Sequence, residues 1–172
     1  LGIGTDGPAS NNDLDMFEEM RLASFIAKAS THDPTSLPAR QALAMATRLG
    51  ASALHLEHLT GSLEAGKRAD LVLIDTSGLH NQPQFSHDPD AAYSRLVYAA
   101  KSSDVTDVMV EGRWLLRDRE LLTIDTPPLL EAAAGFARPI DSSPVALEHS
   151  PPSQLVATGA AAYAAIEWAS FA

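Results

Sequence analysis

The hydrophobic period of this chain changes near residue 61, and that change limits the folds that the chain can adopt. Residues 1–60 begin with a short Gly-spaced segment and then place apolar side chains at helical spacing, whereas residues 61–126 contain short apolar runs between turn residues. Helical spacing indicates amphipathic helices, and short apolar runs bounded by polar residues indicate strands. The pattern therefore predicts an α/β chain.

A third part, residues 127–172, differs from both. We expect residues 131–137 to finish a helix and residues 138–153, which are rich in Pro and Ser, to be irregular. The last residues are rich in Ala, which adds little energy for membrane insertion, and Glu167 lies among them. A loosely docked or unstructured tail is therefore expected in preference to a membrane helix. The predicted domains are 1–60, 61–126 and 127–172.

Length and charge restrict the class of protein. The 172 residues are fewer than the roughly 200–250 of a complete eight-stranded β/α barrel, and the chain begins at Leu1, so a piece of a longer protein is expected. With 12 basic and 22 acidic residues, the chain carries no basic surface for nucleic acid or anionic membranes. It has no Cys, which excludes disulfides and thiol nucleophiles and is compatible with a cytoplasmic protein.

Local patterns in residues 1–60 predict a strand over residues 1–5, a turn, and then helices. The first helix is expected to begin at one of three residues that favour helix N-caps, Asn11, Asn12 or Asp13. It should end near His32, because a proline follows at position 34. A second helix is predicted from a Ser36 cap to Leu49, with Gly50 as its end and a further helical piece over 51–56.

Residues 61–126 are predicted to contain most of the strands. Residues 71–74 are four consecutive apolar residues between acids, which is typical of a strand that is buried on both faces. Residues 78–90 are predicted to be a loop and 91–100 a short helix. Residues 105–116 should form a hairpin that turns at Glu111 and Gly112, and a last strand is expected over 121–125.

The first candidate for chemistry is Asp6, which ends the predicted strand over residues 1–5. Catalytic side chains of β/α barrels occupy the carboxyl ends of strands, where Asp6 would lie. The alternative is that Asp6 is a turn residue before Gly7. The polar residues that follow it, Ser10, Asn11 and Asn12, are interpreted as helix caps, with contact to a substrate as the alternative.

The other candidates have simpler interpretations. His55 and His58 have a spacing that could chelate a metal on a helix, but surface or capping roles are expected. The remaining histidines should be solvated or at a helix end: His32, His80, His87 and His149. Basic residues 67–68 could mark a phosphate site, although a turn before a strand is the preferred interpretation. Three apolar residues are assigned to packing: Met16, Met20 and Trp114.

Three ordered blocks resemble one enzyme family. Residues 4–21, GTDGPASNNDLDMFEEMR, are similar to the last barrel strand and following helix of the amidohydrolase superfamily, in the branch of the 5-methylthioadenosine/S-adenosylhomocysteine deaminases and the triazine chlorohydrolases. Residues 61–75, GSLEAGKRADLVLID, resemble the return into that superfamily's small β-domain. Residues 97–113 resemble its closing hairpin. The resemblance covers residues 1–126 and fades beyond them.

The resemblance implies the C-terminal part of a metal-dependent hydrolase: the last strand and helices of a TIM barrel, plus strands of a small composite β-sandwich domain. It implies that Asp6 is the catalytic, metal-binding and substrate-binding residue, which takes a proton from water and passes it to the departing amine. The cofactor would be one Zn²⁺, whose other ligands, including a His-x-His pair, are expected outside this chain.

The implied reaction is hydrolytic deamination of the adenine moiety of S-adenosylhomocysteine or 5′-methylthioadenosine. The expected partner is a small purine nucleoside, and no binding to nucleic acid or to a membrane is expected. The resemblance leaves open whether the protein forms a homo-oligomer. The alternatives are another amidohydrolase, such as a triazine chlorohydrolase or a guanine deaminase, and a catalytically inert fragment.

Overall fold

The computed structural model describes residues 1–85 and 87–141, which contain both helices and strands, as the sequence predicts. The helices are α1 (Met16–Thr31), α2 (Ala39–Ala46), α3 (Arg48–Ala53), α4 (Ala91–Tyr98) and α5 (Thr126–Asp141). The strands are β1 (Leu71–Ile74), β2 (Val105–Val110), β3 (Arg113–Arg117) and β4 (Glu120–Leu121).

Helix α1 begins later than the sequence predicts. Its N-cap is Asp15, whose carboxylate accepts a hydrogen bond of 2.8 Å from the backbone N–H of Phe17. The predicted caps Asn11, Asn12 and Asp13 are therefore wrong, because the chain first makes a turn that uses the Asn11 side chain. The C-terminal end is confirmed, since His32 takes the left-handed conformation (φ 54°) that commonly ends a helix.

The second predicted helix is divided in two. Pro38, and not Ser36, is the N-cap of α2, and the helix ends at Ala46. Thr47 has φ −128° and ψ −104°, which interrupts the helix before α3 begins at Arg48. Gly50 lies inside α3 and does not end a helix. A Cβ on Gly50 would lie 2.9 Å from the carbonyl oxygen of Met45, so this close approach requires Gly.

The buried core lies between α1, α2 and α4. Its buried members are Met20, Ala39, Ala42 and Val97. Met20 confirms the packing role predicted for the apolar stripe of α1, although here the stripe packs on α2 and α4. The small side chains of α2 allow the three helices to approach closely. Burial of a side chain of Val or Met size stabilises the folded state by about 1.5–3 kcal/mol.

The segment before Asp6 is not a strand in this structure. No strand is assigned within residues 1–15, and the backbone N–H of Ile3 instead donates a hydrogen bond of 3.3 Å to the carbonyl of Met45. Ile3 packs against the helical core. A strand requires a neighbouring strand for its ladder hydrogen bonds, and the described part of this chain places none beside residues 1–5.

The four strands form one antiparallel sheet in the order β1-β2-β3-β4. The predicted hairpin is confirmed, with Glu111 and Gly112 at positive φ (50° and 78°) between β2 and β3. Strand β1 is also confirmed, but its predicted burial on both faces is wrong, because Val72 and Leu73 are 49% and 48% exposed. Within the part of the chain that the structure describes, β1 is an edge strand that pairs with β2 alone. The last predicted strand, over 121–125, is reduced to β4.

Leu1–Thr126 forms one compact unit, and a second unit begins at Pro127. In the second unit, α5 continues to Asp141, so the prediction that residues 138–141 are irregular is wrong. The Ala-rich run that precedes them favours helix. The predicted irregular stretch beyond residue 141 and the predicted tail lie outside the described residues. Among the helices that the structure describes, none is long and apolar enough to span a membrane.

Two glycines at the start of residues 61–126 allow a matched test of stability. Gly61 and Gly66 both have positive φ (91° and 92°), but a Cβ on Gly61 would lie 2.7 Å from the Cβ of Ala51, whereas a Cβ on Gly66 would meet open space. Gly66→Ala should cost about 1–2 kcal/mol through backbone strain alone. Gly61→Ala should cost about 1–3 kcal/mol more, because it also overpacks α3.

Urea denaturation of the two variants and the unsubstituted chain measures this difference in the free energy of unfolding. Equal losses for Gly61→Ala and Gly66→Ala would show that the contact with α3 contributes nothing.

Candidate active-site loop

The carboxylate of Asp6 is held in a tight turn that follows the segment over residues 1–5. Its Oδ1 accepts a hydrogen bond of 2.7 Å from the backbone N–H of Gly7, and its Oδ2 accepts one of 2.9 Å from the Ser10 hydroxyl. The carbonyl of Gly7 closes the turn by accepting hydrogen bonds from the backbone N–H groups of Ser10 and Asn11. Asp6 is exposed, so its carboxylate is open to a ligand.

The backbone of Asp6 is in the left-handed region, with φ 58°. Asp adopts this conformation more often than most residues do. The conformation still costs free energy at any residue other than glycine. The preceding peptide group is held by Asn11, whose Nδ2 donates a hydrogen bond of 3.1 Å to the carbonyl of Thr5. The turn therefore presents the side chain of Asp6 in a defined direction.

The same hydrogen bonds keep Asp6 ionised. The backbone N–H of Gly7, followed by the hydroxyl of Ser10, stabilises the charged form and lowers the pKa of the Asp6 carboxyl below its usual value. Each carboxylate oxygen has about two acceptor positions, and the turn uses one on each. The second position on each oxygen is left for a ligand, and a carboxylate is among the groups that bind Zn²⁺.

The helices set the position of this turn. A Cβ on Gly2 would lie 3.0 Å from the Cα of Gly50, so the segment before Asp6 lies directly against α3. Farther along the turn, Asn11 Nδ2 also donates a hydrogen bond of 2.6 Å to Glu19 Oε1 on α1. The segment before the turn thus lies against α3, and the end of the turn is hydrogen-bonded to α1.

The polar residues after Asp6 have roles that their sequence pattern did not predict. Ser10 bonds to the Asp6 carboxylate, and Asn11 joins Thr5 to Glu19; neither side chain caps α1. Asn12 is exposed. The sequence carries no signal that Glu19 contacts the loop, because the spacing of eight residues from Asn11 becomes a contact only when the turn folds back onto α1.

The chelating arrangement that the spacing of His55 and His58 would allow is not formed. α3 ends at Ala53, and His55 has φ 60°, so the two histidines do not share a helix. Both are exposed, as the surface interpretation predicts. Within the described ranges, no group of three or more His, Asp or Glu side chains could hold a metal ion. Asp6 is therefore one potential ligand and not a complete site.

One histidine that was predicted to be solvated has a buried partner. His80 Nε2 lies 2.7 Å from Oδ2 of Asp104, which is 7% exposed. The backbone N–H of Lys101 and the Nδ2 of Asn81 also donate to Asp104 Oδ2, at 3.0 and 3.3 Å. The pair joins the loop after β1 to the start of β2. The sequence contains no signal for it, since the partners are 24 residues apart.

Two further histidines and the basic pair agree with the preferred interpretations. His32 and His87 are exposed, and His149 lies outside the described residues. Lys67 Nζ lies 3.1 Å from Glu64 Oε1, and Arg68 lies 2.6 Å from Glu111 Oε1, so both cations serve the turn before β1. Trp114 is half-buried on β3, opposite Met109 of β2.

The chain is similar in sequence to known proteins. A model of the Amidohydrolase family matches residues 1–115. The chain is 49% identical over 137 residues to the 5-methylthioadenosine/S-adenosylhomocysteine deaminase of Halalkalibacterium halodurans, covering 79% of this chain and 30% of that protein. The chain therefore spans about a third of the length of the curated relatives that it matches.

Solved structures show the same similarity. An adenosine deaminase from Xanthomonas campestris with bound zinc superposes with a TM-score of 0.75 at 46% identity, over 83% of this chain and 31% of that one. A zinc complex of atrazine chlorohydrolase from Arthrobacter aurescens has a TM-score of 0.59 at 27% identity, over 75% of this chain and 28% of the other. The chain belongs to the amidohydrolase family.

Proposed function

We propose that this chain is the C-terminal part of a longer hydrolytic deaminase, referred to below as the full-length deaminase. Its substrates would be S-adenosylhomocysteine and 5′-methylthioadenosine, from which it releases ammonia. The observation that carries the proposal is the Asp6 loop, which lies inside the matched residues 1–115 and presents an exposed, ionised carboxylate. The substrate class is supported by the 49% identity to a protein that bears this deaminase name.

Asp6 would perform the proton transfers of the reaction. A carboxylate with a lowered pKa accepts a proton from the attacking water only transiently and then delivers it to the departing amino group. The water oxygen would bond to C6 of the purine while N1 takes up a proton from an acid outside this chain. The C6–N bond to the amino group then breaks, ammonia leaves with the proton that Asp6 delivers, and the remaining hydroxyl proton returns to that acid as the C6 carbonyl forms. Hydrogen bonds from Gly7 and Ser10 hold the carboxylate through both transfers, since each occupies only one acceptor position of its oxygen.

The donor set is compatible with one divalent cation of the zinc type. Asp6 would supply one oxygen ligand, and the other ligands would come from outside this chain. When bound, such a cation lowers the pKa of water so that a nucleophile forms near neutral pH. Support for zinc comes from the bound zinc in the similar adenosine deaminase structure.

The proposal also specifies the architecture around Asp6. Residues 1–60 would be the end of a TIM barrel, with residues 1–5 pairing as its last strand once the neighbouring strands are present. Residues 61–126 would be part of a small β-sandwich domain, whose remaining parts would cover the two faces of β1 on which Val72 and Leu73 lie. The exposure of Val72 and Leu73 supports this placement.

Ammonia release by purified protein tests the proposal. The full-length deaminase, supplied with zinc, should release ammonia from S-adenosylhomocysteine or 5′-methylthioadenosine and should be much slower on guanine and on chlorinated triazines. The present 172-residue chain should be inactive on all of them, because its described residues supply one proposed metal ligand and contain no group of three or more His, Asp or Glu side chains that could hold the ion.

Two outcomes would contradict the proposal. Faster turnover of triazines would favour the chlorohydrolase alternative, which the similarity to atrazine chlorohydrolase supports at a lower identity of 27%. Ammonia release by the 172-residue chain alone would show that the active site is complete within it.

A further inference from the structure

Asn11 differs from its neighbours in the loop after Asp6. Ser10, Asn12 and Asp13 are exposed, whereas Asn11 is half-buried and uses both ends of its amide. Its Nδ2 donates to the Thr5 carbonyl and to Glu19 Oε1, and its Oδ1 accepts a hydrogen bond of 3.4 Å from the backbone N–H of Asp13. These partners define the amide orientation, since two acceptors face the nitrogen and one donor faces the oxygen.

The bond from Asn11 to Thr5 acts on the backbone of Asp6. The Thr5 carbonyl belongs to the peptide group that precedes Asp6, so holding its oxygen restricts rotation about the φ angle of Asp6. That angle is 58°, in a region that costs a non-glycine residue free energy unless the surroundings impose it. The two bonds to the Asp6 carboxylate come from within the same loop, from Gly7 and Ser10.

The bond from Asn11 to Glu19 connects this loop to a rigid element. Glu19 lies in the first turn of α1, and α1 packs through Met20 in the helical core. The contact of 2.6 Å between Asn11 Nδ2 and Glu19 Oε1 has a charged acceptor, and such hydrogen bonds are shorter and stronger than neutral ones. The amide group of Asn11 thus links α1 to the backbone of Asp6.

We propose that Asn11 and Glu19 are positioning residues for the Asp6 carboxylate. Asn11 holds the peptide group before Asp6, and Glu19 holds Asn11 on α1. Neither side chain takes part in the chemistry. The inference rests on the proposed function, because it assigns what keeps the proposed proton-transfer group aimed at its ligand.

Four variants of the full-length deaminase separate positioning from folding. Asn11→Ala removes both donor bonds. Asn11→Asp removes both donor bonds and also places the new carboxylate at position 11 in contact with that of Glu19. The double variant Asn11→Asp/Glu19→Gln restores a bond between positions 11 and 19, with Gln as the donor, but leaves the Thr5 carbonyl without a donor. Asp13→Ala is the control, since it truncates an exposed polar side chain of the same loop.

The measurements are kcat and KM for S-adenosylhomocysteine, the melting temperature, and zinc retained after dialysis against a chelator. Asn11→Ala should lower kcat by about 10–100-fold with little change in KM, because groups that orient a metal ligand have effects of this size. It should also retain less zinc than the control. The double variant should recover the melting temperature lost in Asn11→Asp while kcat stays low.

Two results would overturn the inference. One is a wild-type kcat and zinc content in Asn11→Ala. The other is recovery of kcat together with the melting temperature in the double variant, which would show that the hydrogen bond from position 11 to the Thr5 carbonyl does not position Asp6. If the unsubstituted deaminase releases no ammonia, the proposed function fails instead, and zinc retention still tests the positioning of Asp6.

Discussion

Asp6→Asn in the full-length deaminase is expected to lower kcat by about 10²–10⁴-fold, the range for loss of a general acid–base group. Asn removes the negative charge and the ability to carry a proton. It keeps the size of the side chain and an oxygen that can accept the hydrogen bond from Gly7. Asn also tolerates the left-handed backbone that Asp6 adopts. The substitution therefore tests the carboxylate and leaves the turn in place.

Steady-state ammonia release measures this effect, with Asp13→Asn as the matched control. Asp13 is an exposed aspartate seven positions along the same loop, and its loss should leave kcat close to that of the unsubstituted enzyme. The melting temperatures of both variants should agree with that of the parent. A kcat for Asp6→Asn near the control value would remove Asp6 from the mechanism.

Asp104→Ala is expected to lower the free energy of unfolding of the chain by about 2–4 kcal/mol. The substitution removes an acceptor of the buried Asn81 side chain and of the part-buried backbone N–H of Lys101, and a buried group that loses its partner costs about 1–3 kcal/mol. It also removes the partner of His80. Urea denaturation at neutral pH measures the loss, and Asp13→Ala should change stability little.

The contribution of Asp104 should depend on pH in one direction. Burial of the Asp104 carboxyl raises its pKa, but the hydrogen bonds from His80, Lys101 and Asn81 outweigh burial and leave the pKa below the ordinary value of 3.8. A carboxyl with a lowered pKa in the folded state contributes its stability above the unfolded pKa and loses it as pH falls through the folded pKa.

The stability difference between the unsubstituted chain and Asp104→Ala should accordingly be full at neutral pH and shrink at acid pH below the unfolded pKa. A difference that stays constant down to the acid end of the folded range would show that the ionised carboxylate is not what stabilises this loop.

Much of the local structure could be predicted because its causes lie within a few residues. The left-handed end of α1 at His32 follows from Pro34 two residues later, and the hairpin turn at Glu111 and Gly112 follows from a residue pair that favours such turns. The candidate Asp6 was identified in the same way, from a turn signal and from the resemblance of the residues around it to a known enzyme family.

The predictions from sequence were wrong where one residue type suits two structural roles and a tertiary contact determines which role it takes. Asn11 is a good N-cap by type, but its amide reaches Thr5 and Glu19, and the helix begins at Asp15 instead. Residues 71–74 have the composition of a strand buried on both faces, yet burial depends on what covers the sheet, and β1 is an edge strand among the described residues.

The sequence by itself determined the α/β class, the approximate places of the helices and the hairpin, and Asp6 as the candidate group, since these depend on spacing and residue type over short stretches. Only the tertiary structure decided the hydrogen bonds that hold Asp6 and the pairing of His80 with Asp104 across 24 positions. Such contacts depend on how separate elements pack, and one residue type can satisfy several partners, so short-range patterns do not specify them.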